Sequence, residues 1–103
     1  MISKDLRVAL LPLLIEWNNK DVNLSHLENA LLQLHPQTDL LILPETFSTG
    51  FPSGMSKDEV REMAERTTGK TIDFIKELAR RHQVAICGSF IADTGGSLYN
   101  RLF

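Results

Sequence analysis

One glutamate of this sequence, Glu45, follows an apolar segment at a place where α/β proteins carry out chemistry. The segment reads Leu-Leu-Ile-Leu over residues 40–43 and is followed by Pro44. A run that is apolar on both faces predicts a strand in a sheet covered on both sides, and ligands bind outside the carboxyl ends of such strands. A carboxylate there can move protons if burial raises its pKa toward neutrality. The alternative is a solvated carboxylate that holds a helix or a turn.

Aromatic residues accompany Glu45 in the sequence. Phe47 and Phe51 come shortly after it, and Trp17 follows the first apolar segment of the chain. Each ring has two possible roles, because it can form a wall of a substrate pocket or anchor its loop in the core. Three further residues favour a loop after Glu45, namely Gly50, Pro52 and Gly54.

The segment around Glu45 resembles a family motif. Leu-Pro-Glu-Thr-Phe over residues 43–47, followed by Gly-Phe at 50–51, is similar to the first catalytic motif of the nitrilase superfamily of carbon-nitrogen hydrolases. With Trp17, the form is most similar to that of bacterial omega-amidases, which hydrolyse the terminal amide of 2-oxo acids such as 2-oxoglutaramate. The resemblance covers essentially the whole chain. It implies that Glu45 is a catalytic general base, beside which Phe47 and Phe51 are the candidate substrate-binding residues.

The resemblance also implies a covalent mechanism with neither a metal nor an organic cofactor. A cysteine thiolate attacks the amide carbon, ammonia leaves, and water releases the acid from a thioester. The family's lysine and nucleophilic cysteine come later in the chain than Phe103. We therefore expect residues 1–103 to be a partial domain, truncated before both residues, and inactive alone. Cys87 is predicted to be a small buried hydrophobe, and exposed helix positions are predicted for Lys57, Lys70 and Lys76.

Composition limits the class of protein. Hydrophobic residues make up 43% and charged residues 23% of the 103 residues, which is typical of one globular domain. A net charge of -2 gives no basic surface for nucleic acid or an anionic membrane. One cysteine and a start unlike a signal peptide predict a cytoplasmic protein. The three histidines are not at metal-ligand spacing, so no metal is expected.

Apolar periodicity and capping signals predict the elements that position Glu45. We expect a buried strand over 6–15, disturbed at Pro12, and then a helix with Asp21 as its N-cap and Pro36 as its terminator. The apolar stripe of that helix is Leu24, Leu27, Leu31 and Leu34. A further strand is predicted over 84–91, and the turn over 93–96 should let residues 97–103 pair back antiparallel.

Two helices are predicted between the Glu45 loop and the strand over 84–91. Ser56 and Glu59 have the spacing of a capping box, so a short helix should begin at Lys57. A second helix should run from Lys70 to His82. The predicted order is therefore β-α-β-α-α-β-β, an α/β chain.

The family resemblance implies the N-terminal half of a nitrilase-like α-β-β-α sandwich. One face of the sheet would then be apolar and uncovered in this chain, and the complete protein would be a homo-oligomer. Three alternatives stay open: a catalytically inactive fragment that acts as an interaction module, an amidase or nitrilase of another branch, and an unrelated α/β binding domain.

Overall fold

The computed structural model describes residues 5–103, in which three helices lie among five short strands. In chain order the elements are β1 (Val8–Leu10), α1 (Lys20–Leu31), β2 (Leu40–Ile42), α2 (Lys57–Met63), α3 (Lys70–His82), β3 (Ala85–Cys87), β4 (Ser89–Asp93) and β5 (Leu98–Leu102). The α/β class is confirmed. The chain has one strand more than the predicted order.

The strands form two sheets. β1, β2 and β3 form a parallel sheet in that order, in which Val8 is opposite Leu40 and Leu40 is opposite Ala85. β4 and β5 form an antiparallel hairpin. Because β2 is the central parallel strand, its carboxyl end, which leads to Glu45, lies beside the carboxyl end of β3.

Helices α1 and α3 cover one face of the parallel sheet. Leu41 of β2 and Leu43, which directly follows that strand, lie in a core that also contains buried residues of the two helices. Those helix residues are Leu24, Leu27, Leu31, Ile75 and Leu78. Full burial of one such side chain contributes about 1.5–3 kcal/mol, so this stripe is what attaches the helices to the sheet.

The opposite face of the parallel sheet is uncovered. Leu10 is 73% exposed, Val8 is exposed, and Ile42 and Cys87 are half-buried. The expectation of an apolar, uncovered face is confirmed. Two other expectations are wrong: β1 is not a buried strand, and β2 is not covered on both sides by the described residues. The physical reason is that β1 is an edge strand and that both helices pack on the same face.

The bounds of α1 differ from the prediction at both ends. Its N-cap is Asn19, whose side chain accepts a hydrogen bond from the amide of Val22, while Asp21 lies in the first turn. The helix ends at Leu31, well before Pro36. Amides 32–34 donate to the carbonyls three residues earlier, so the backbone tightens before the proline is reached.

The predicted strand over 84–91 is two strands separated by Gly88. β3 pairs with β2, whereas β4 pairs with β5. A Cβ atom at Gly88 would lie 3.1 Å from Cβ of Leu43 and from Cζ of Phe103. The chain therefore passes from the parallel sheet to the hairpin at Gly88, where Leu43 and Phe103 leave no room for a larger side chain. Apolar periodicity alone does not predict this break in the strand.

The other predicted helices are confirmed. α2 begins at Lys57, and both hydrogen bonds of the Ser56–Glu59 capping box form. α3 covers Lys70–His82 and ends at Gln83 in the left-handed conformation, with φ of 52°. The predicted hairpin also forms, and its second strand begins at Leu98. No helix within residues 5–103 is long and apolar enough to span a membrane.

Candidate active site

Glu45 lies at a groove formed where the parallel sheet meets the β4–β5 hairpin. This Glu45 groove has a volume of about 340 Å³. Its lining residues come from the ends of β2 and β3 and from the hairpin: Ile42, Leu43, Glu45, Cys87, Gly88, Ser89, Asn100 and Leu102. The groove therefore lies at the carboxyl ends of two adjacent parallel strands, which is where such sheets bind ligands.

The carboxylate of Glu45 is exposed. Within residues 5–103 no side chain forms an ion pair with it or donates a hydrogen bond to it. The described residues do not bury this carboxylate. They do place the carboxylate of Glu45 on the groove.

The turn that carries Glu45 comprises residues 45–50 and is called here the Glu45 turn. Thr46 has φ of +44°, a left-handed conformation that is disfavoured for a β-branched residue. Its amide donates to Oγ of Ser89 at 2.9 Å, and its hydroxyl donates to the carbonyl of Glu45 at 2.8 Å. Its carbonyl accepts from the amide of Gly50 at 2.9 Å. Hydrogen bonds on both sides of Thr46 thus fix the backbone that presents Glu45.

Asn23 of α1 holds the far end of the Glu45 turn. This side chain is only 2% exposed. Its amide nitrogen donates to the carbonyls of Ser48 and Glu16, each at 2.8 Å, and its oxygen accepts from the amide of Glu16 at 2.8 Å. One buried side chain therefore joins the Glu45 turn to the segment after β1 and satisfies all three polar groups that it approaches.

Phe47 anchors the Glu45 turn in the main core. It has no exposed surface, lies in the main core, and its ring centroid is 6.1 Å from that of Phe103 in an edge-to-face arrangement. This is one of the two roles that the sequence allowed, and in the described residues the ring offers no surface to a ligand. Phe51 is 60% exposed and does not line the Glu45 groove. Substrate contacts by Phe47 and Phe51 stay predictions.

Trp17 packs on the end of the Glu45 turn. Gly50 has φ of +88°, and a Cβ atom there would lie 2.9 Å from Cε3 of Trp17. Glycine is therefore required both by the backbone conformation and by the indole ring. Half of the Trp17 side chain stays exposed. The ring packs against Gly50 and is not among the residues that line the Glu45 groove.

Cys87 lies on the Glu45 groove and is half-buried. Its strand, β3, is adjacent to β2, so the fold brings the thiol to the same groove as the carboxylate. The lysines considered in the sequence, Lys57, Lys70 and Lys76, are all exposed, and none lines the groove. No cluster of three or more histidines, cysteines or carboxylates within residues 5–103 is arranged to hold a metal ion.

A second carboxylate, Glu65, has a full set of partners. Its oxygens accept from the amide of Thr71 at 2.9 Å and from the Thr71 hydroxyl, and one lies 3.1 Å from Nζ of Lys20. Burial alone would raise the pKa of Glu65, but the hydrogen bonds from Thr71 and the ion pair with Lys20 outweigh it and lower the pKa. This Glu65 cluster joins the beginnings of α1 and α3.

Sequence reasoning missed Ser89 and Asn23. Asn23 precedes Leu27 and Leu31 at intervals of four residues, so a polar residue on the buried side of α1 was a usable signal. Ser89 had no such signal, because its partner Thr46 is 43 residues away in the sequence.

Comparison with known proteins places the chain beside amide hydrolases. The model of the carbon-nitrogen hydrolase family matches residues 7–103. An (R)-stereoselective amidase of a Pseudomonas species is 33% identical over 78 residues, which cover 76% of this chain and 27% of the amidase. The omega-amidase YafV of Yersinia enterocolitica is 29% identical over 96 residues, which cover 93% of this chain and 35% of YafV.

Solved structures show the same likeness. A CN-hydrolase superfamily protein of Xanthomonas campestris, crystallised with an arsenic adduct in its active site, is 35% identical with a TM-score of 0.84 over 97% of this chain and 36% of that protein. Nit3 of Saccharomyces cerevisiae, a member of branch 10 of the nitrilase superfamily, is 24% identical with a TM-score of 0.70 over 92% of this chain and 37% of Nit3, a likeness of fold. The chain spans about a third of the length of these relatives.

Proposed function

The chain belongs to the carbon-nitrogen hydrolase family, and from that membership we propose that residues 1–103 are the N-terminal part of an amidase in which Glu45 is the general base. The observation that carries the proposal is the position of Glu45 on a groove at the carboxyl ends of β2 and β3. Family membership sets aside the alternative of an unrelated α/β binding domain.

Glu45 would act on two protons in this reaction. It first takes the proton of a cysteine thiol, so that the thiolate can attack the amide carbon, and then gives that proton to the amide nitrogen, which leaves as ammonia. It then takes a proton from the water that hydrolyses the thioester. The nucleophilic cysteine and an oxyanion-stabilising lysine would come from the remainder of the protein, which would also cover the groove. Cys87 lies on the groove but has the role of a wall residue in this proposal.

The proposed substrate is a small carboxylated omega-amide such as 2-oxoglutaramate. The likeness to the omega-amidase YafV over 93% of this chain supports that choice. The likeness to an (R)-stereoselective amidase supports a rival branch with a different amide. A panel of amides and nitriles distinguishes the branches, because the preferred substrate has the highest kcat/KM. A cytoplasmic location and a homo-oligomeric state belong to this proposal as well.

The test is ammonia release from 2-oxoglutaramate by the complete protein that contains residues 1–103, measured beside the 103-residue chain. The complete protein should release ammonia without added metal or cofactor, and the chain alone should release none. Release by the chain alone that disappears in Glu45→Gln would contradict the proposed division of catalytic residues. An inactive complete protein across the whole panel would contradict the amidase assignment.

The uncovered sheet face supports a second candidate function. Val8 and Leu10 expose apolar side chains there, and Leu102, which lines the Glu45 groove, is 77% exposed. A chain without further catalytic residues would use this face as an interaction module. Light scattering of the 103-residue chain separates the two cases, since a stable monomer across the micromolar range argues against an interaction surface.

A further inference from the structure

We propose that Ser89 is a positioning residue for Glu45, a role that rests on the proposed function. Ser89 is the first residue of β4 and lines the Glu45 groove. Its hydroxyl oxygen, 2.9 Å from the amide nitrogen of Thr46, accepts the hydrogen bond of the residue that directly follows Glu45. Ser89 therefore acts on the carboxylate through one backbone unit.

The conformation of Thr46 is the reason why this hydrogen bond matters. Thr46 is 1% exposed and has φ of +44°, which L-residues with branched side chains avoid. A buried amide without an acceptor would add a desolvation penalty to that strain. Ser89 removes the penalty, so the left-handed turn becomes the stable arrangement. Without the hydroxyl, the backbone would be free to leave that region and carry Glu45 with it.

The place of Ser89 in the fold suits it to this role. It follows Gly88, where the chain passes from the parallel sheet to the hairpin, and it pairs with Leu102 of β5. Because β4 is held by β5 along its whole length, the position of the hydroxyl is fixed by a sheet rather than by a loop. The hairpin thereby determines the direction of a carboxylate that belongs to the other sheet.

Ser89 and Asn23 hold opposite ends of the Glu45 turn. Asn23 binds the carbonyl of Ser48 and also joins the segment after β1 to the core. Its loss should lower the stability of the whole fold. Ser89 makes one hydrogen bond to the turn, beside the carboxylate, so its loss should alter the reaction more than the stability.

The experiment compares Ser89→Ala, Ser89→Thr and the control Ser97→Ala in the complete protein. Ser97 is exposed, lies in the turn of the same hairpin directly before β5, and does not line the Glu45 groove. Its side chain makes no hydrogen bond within residues 5–103. Two readouts are used: kcat and KM for 2-oxoglutaramate, and the hydrogen-exchange rate of the Thr46 amide. The second readout does not depend on activity.

Ser89→Ala should lower kcat by about 10- to 100-fold with little change in KM, because a displaced base slows the chemistry more than it weakens binding. The Thr46 amide should exchange faster in Ser89→Ala and at the wild-type rate in Ser89→Thr and Ser97→Ala. Ser89→Thr, which keeps the hydroxyl, should restore most of kcat.

Wild-type kcat in Ser89→Ala, an unchanged Thr46 exchange rate, or an effect on KM alone would overturn the positioning role. If the wild-type protein hydrolyses no amide of the panel, the proposed function fails by itself. Thr46 exchange then decides whether Ser89 holds the Glu45 turn: faster exchange in Ser89→Ala supports that part, and unchanged exchange overturns it.

Discussion

The Glu45 turn and the Glu65 cluster each contain one glutamate, but only the carboxylate of Glu65 has hydrogen-bond and ion-pair partners among residues 5–103. Glu65 accepts hydrogen bonds from Thr71 and pairs with Lys20, so its carboxylate builds the structure around it. Glu45 is carried by a turn that Ser89, Asn23 and Phe47 hold, and its own carboxylate is exposed on a groove. A carboxylate that is already satisfied stabilises a fold, whereas one that is held by its backbone alone stays available for a substrate.

The largest expected effect comes from removing the anchor of the Glu45 turn. Phe47→Ala should lower the free energy of unfolding by about 3–5 kcal/mol, because the ring is fully buried against the main core and Phe103. Urea unfolding followed by circular dichroism measures this. Phe51→Ala is the control, since Phe51 is exposed, and it should change the free energy by about 0.5 kcal/mol or less. Equal losses in the two variants would contradict the anchoring role.

The Glu65 cluster should be the second most sensitive region. Glu65→Ala should cost about 2–3 kcal/mol of unfolding free energy, because it leaves the amide and hydroxyl of Thr71 without their acceptor and Lys20 without its partner. Glu77→Ala is the matched control on an exposed helix surface, where its ion pair with Arg80 contributes little. A Glu65→Ala variant as stable as Glu77→Ala would show that the cluster does not stabilise the fold.

A smaller loss of unfolding free energy is expected on substitution of Gly69, which lies against the Glu65 cluster. A Cβ atom at Gly69 would lie 2.9 Å from the carbonyl of Arg66 and from Oε1 of Glu65. Gly69→Ala should therefore cost about 1–2 kcal/mol. At Gly96 a Cβ atom meets nothing within 4 Å, so Gly96→Ala should be nearly neutral. Thermal melting of both variants checks the difference, and equal melting temperatures would contradict it.

The smallest expected effect is the pH dependence of stability that Glu65 contributes. In the folded state the hydrogen bonds from Thr71 and the ion pair with Lys20 outweigh burial and hold the pKa of this group below the ordinary value of a glutamate. Its ionised form is thus favoured by folding, and the stabilisation is complete at pH values above the unfolded pKa. It is lost as the pH falls through the folded pKa. The difference in unfolding free energy between wild type and Glu65→Gln should shrink from pH 6 toward pH 3, and a difference that grows on acidification would contradict this assignment.

Local signals predicted the parts of the fold that local interactions determine. The capping box of Ser56 and Glu59 predicted the beginning of α2, and helical periodicity predicted α3 from Lys70 to His82. The hairpin followed from its turn residues. These elements agree with the sequence because their defining contacts lie within a few residues of one another.

Tertiary contacts decided what the sequence did not reveal. The break at Gly88 depends on Leu43 and Phe103, which are distant in the chain. The exposure of β1 depends on both helices packing on the same face of the sheet. At the site, the motif identified Glu45, but the side chains that hold its turn, Ser89 and Asn23, act across 43 and 25 residues.

The measurement that tests the central claim most directly is the activity and stability of Glu45→Gln in the complete protein. The account predicts that kcat/KM for the preferred amide falls by about 10²- to 10⁴-fold, because the general base is lost. The free energy of unfolding should stay within about 0.5 kcal/mol of the wild type, since the carboxylate has no partner among residues 5–103. Retained turnover, or a loss of activity that accompanies unfolding, would contradict the assignment of Glu45 as the reacting carboxylate.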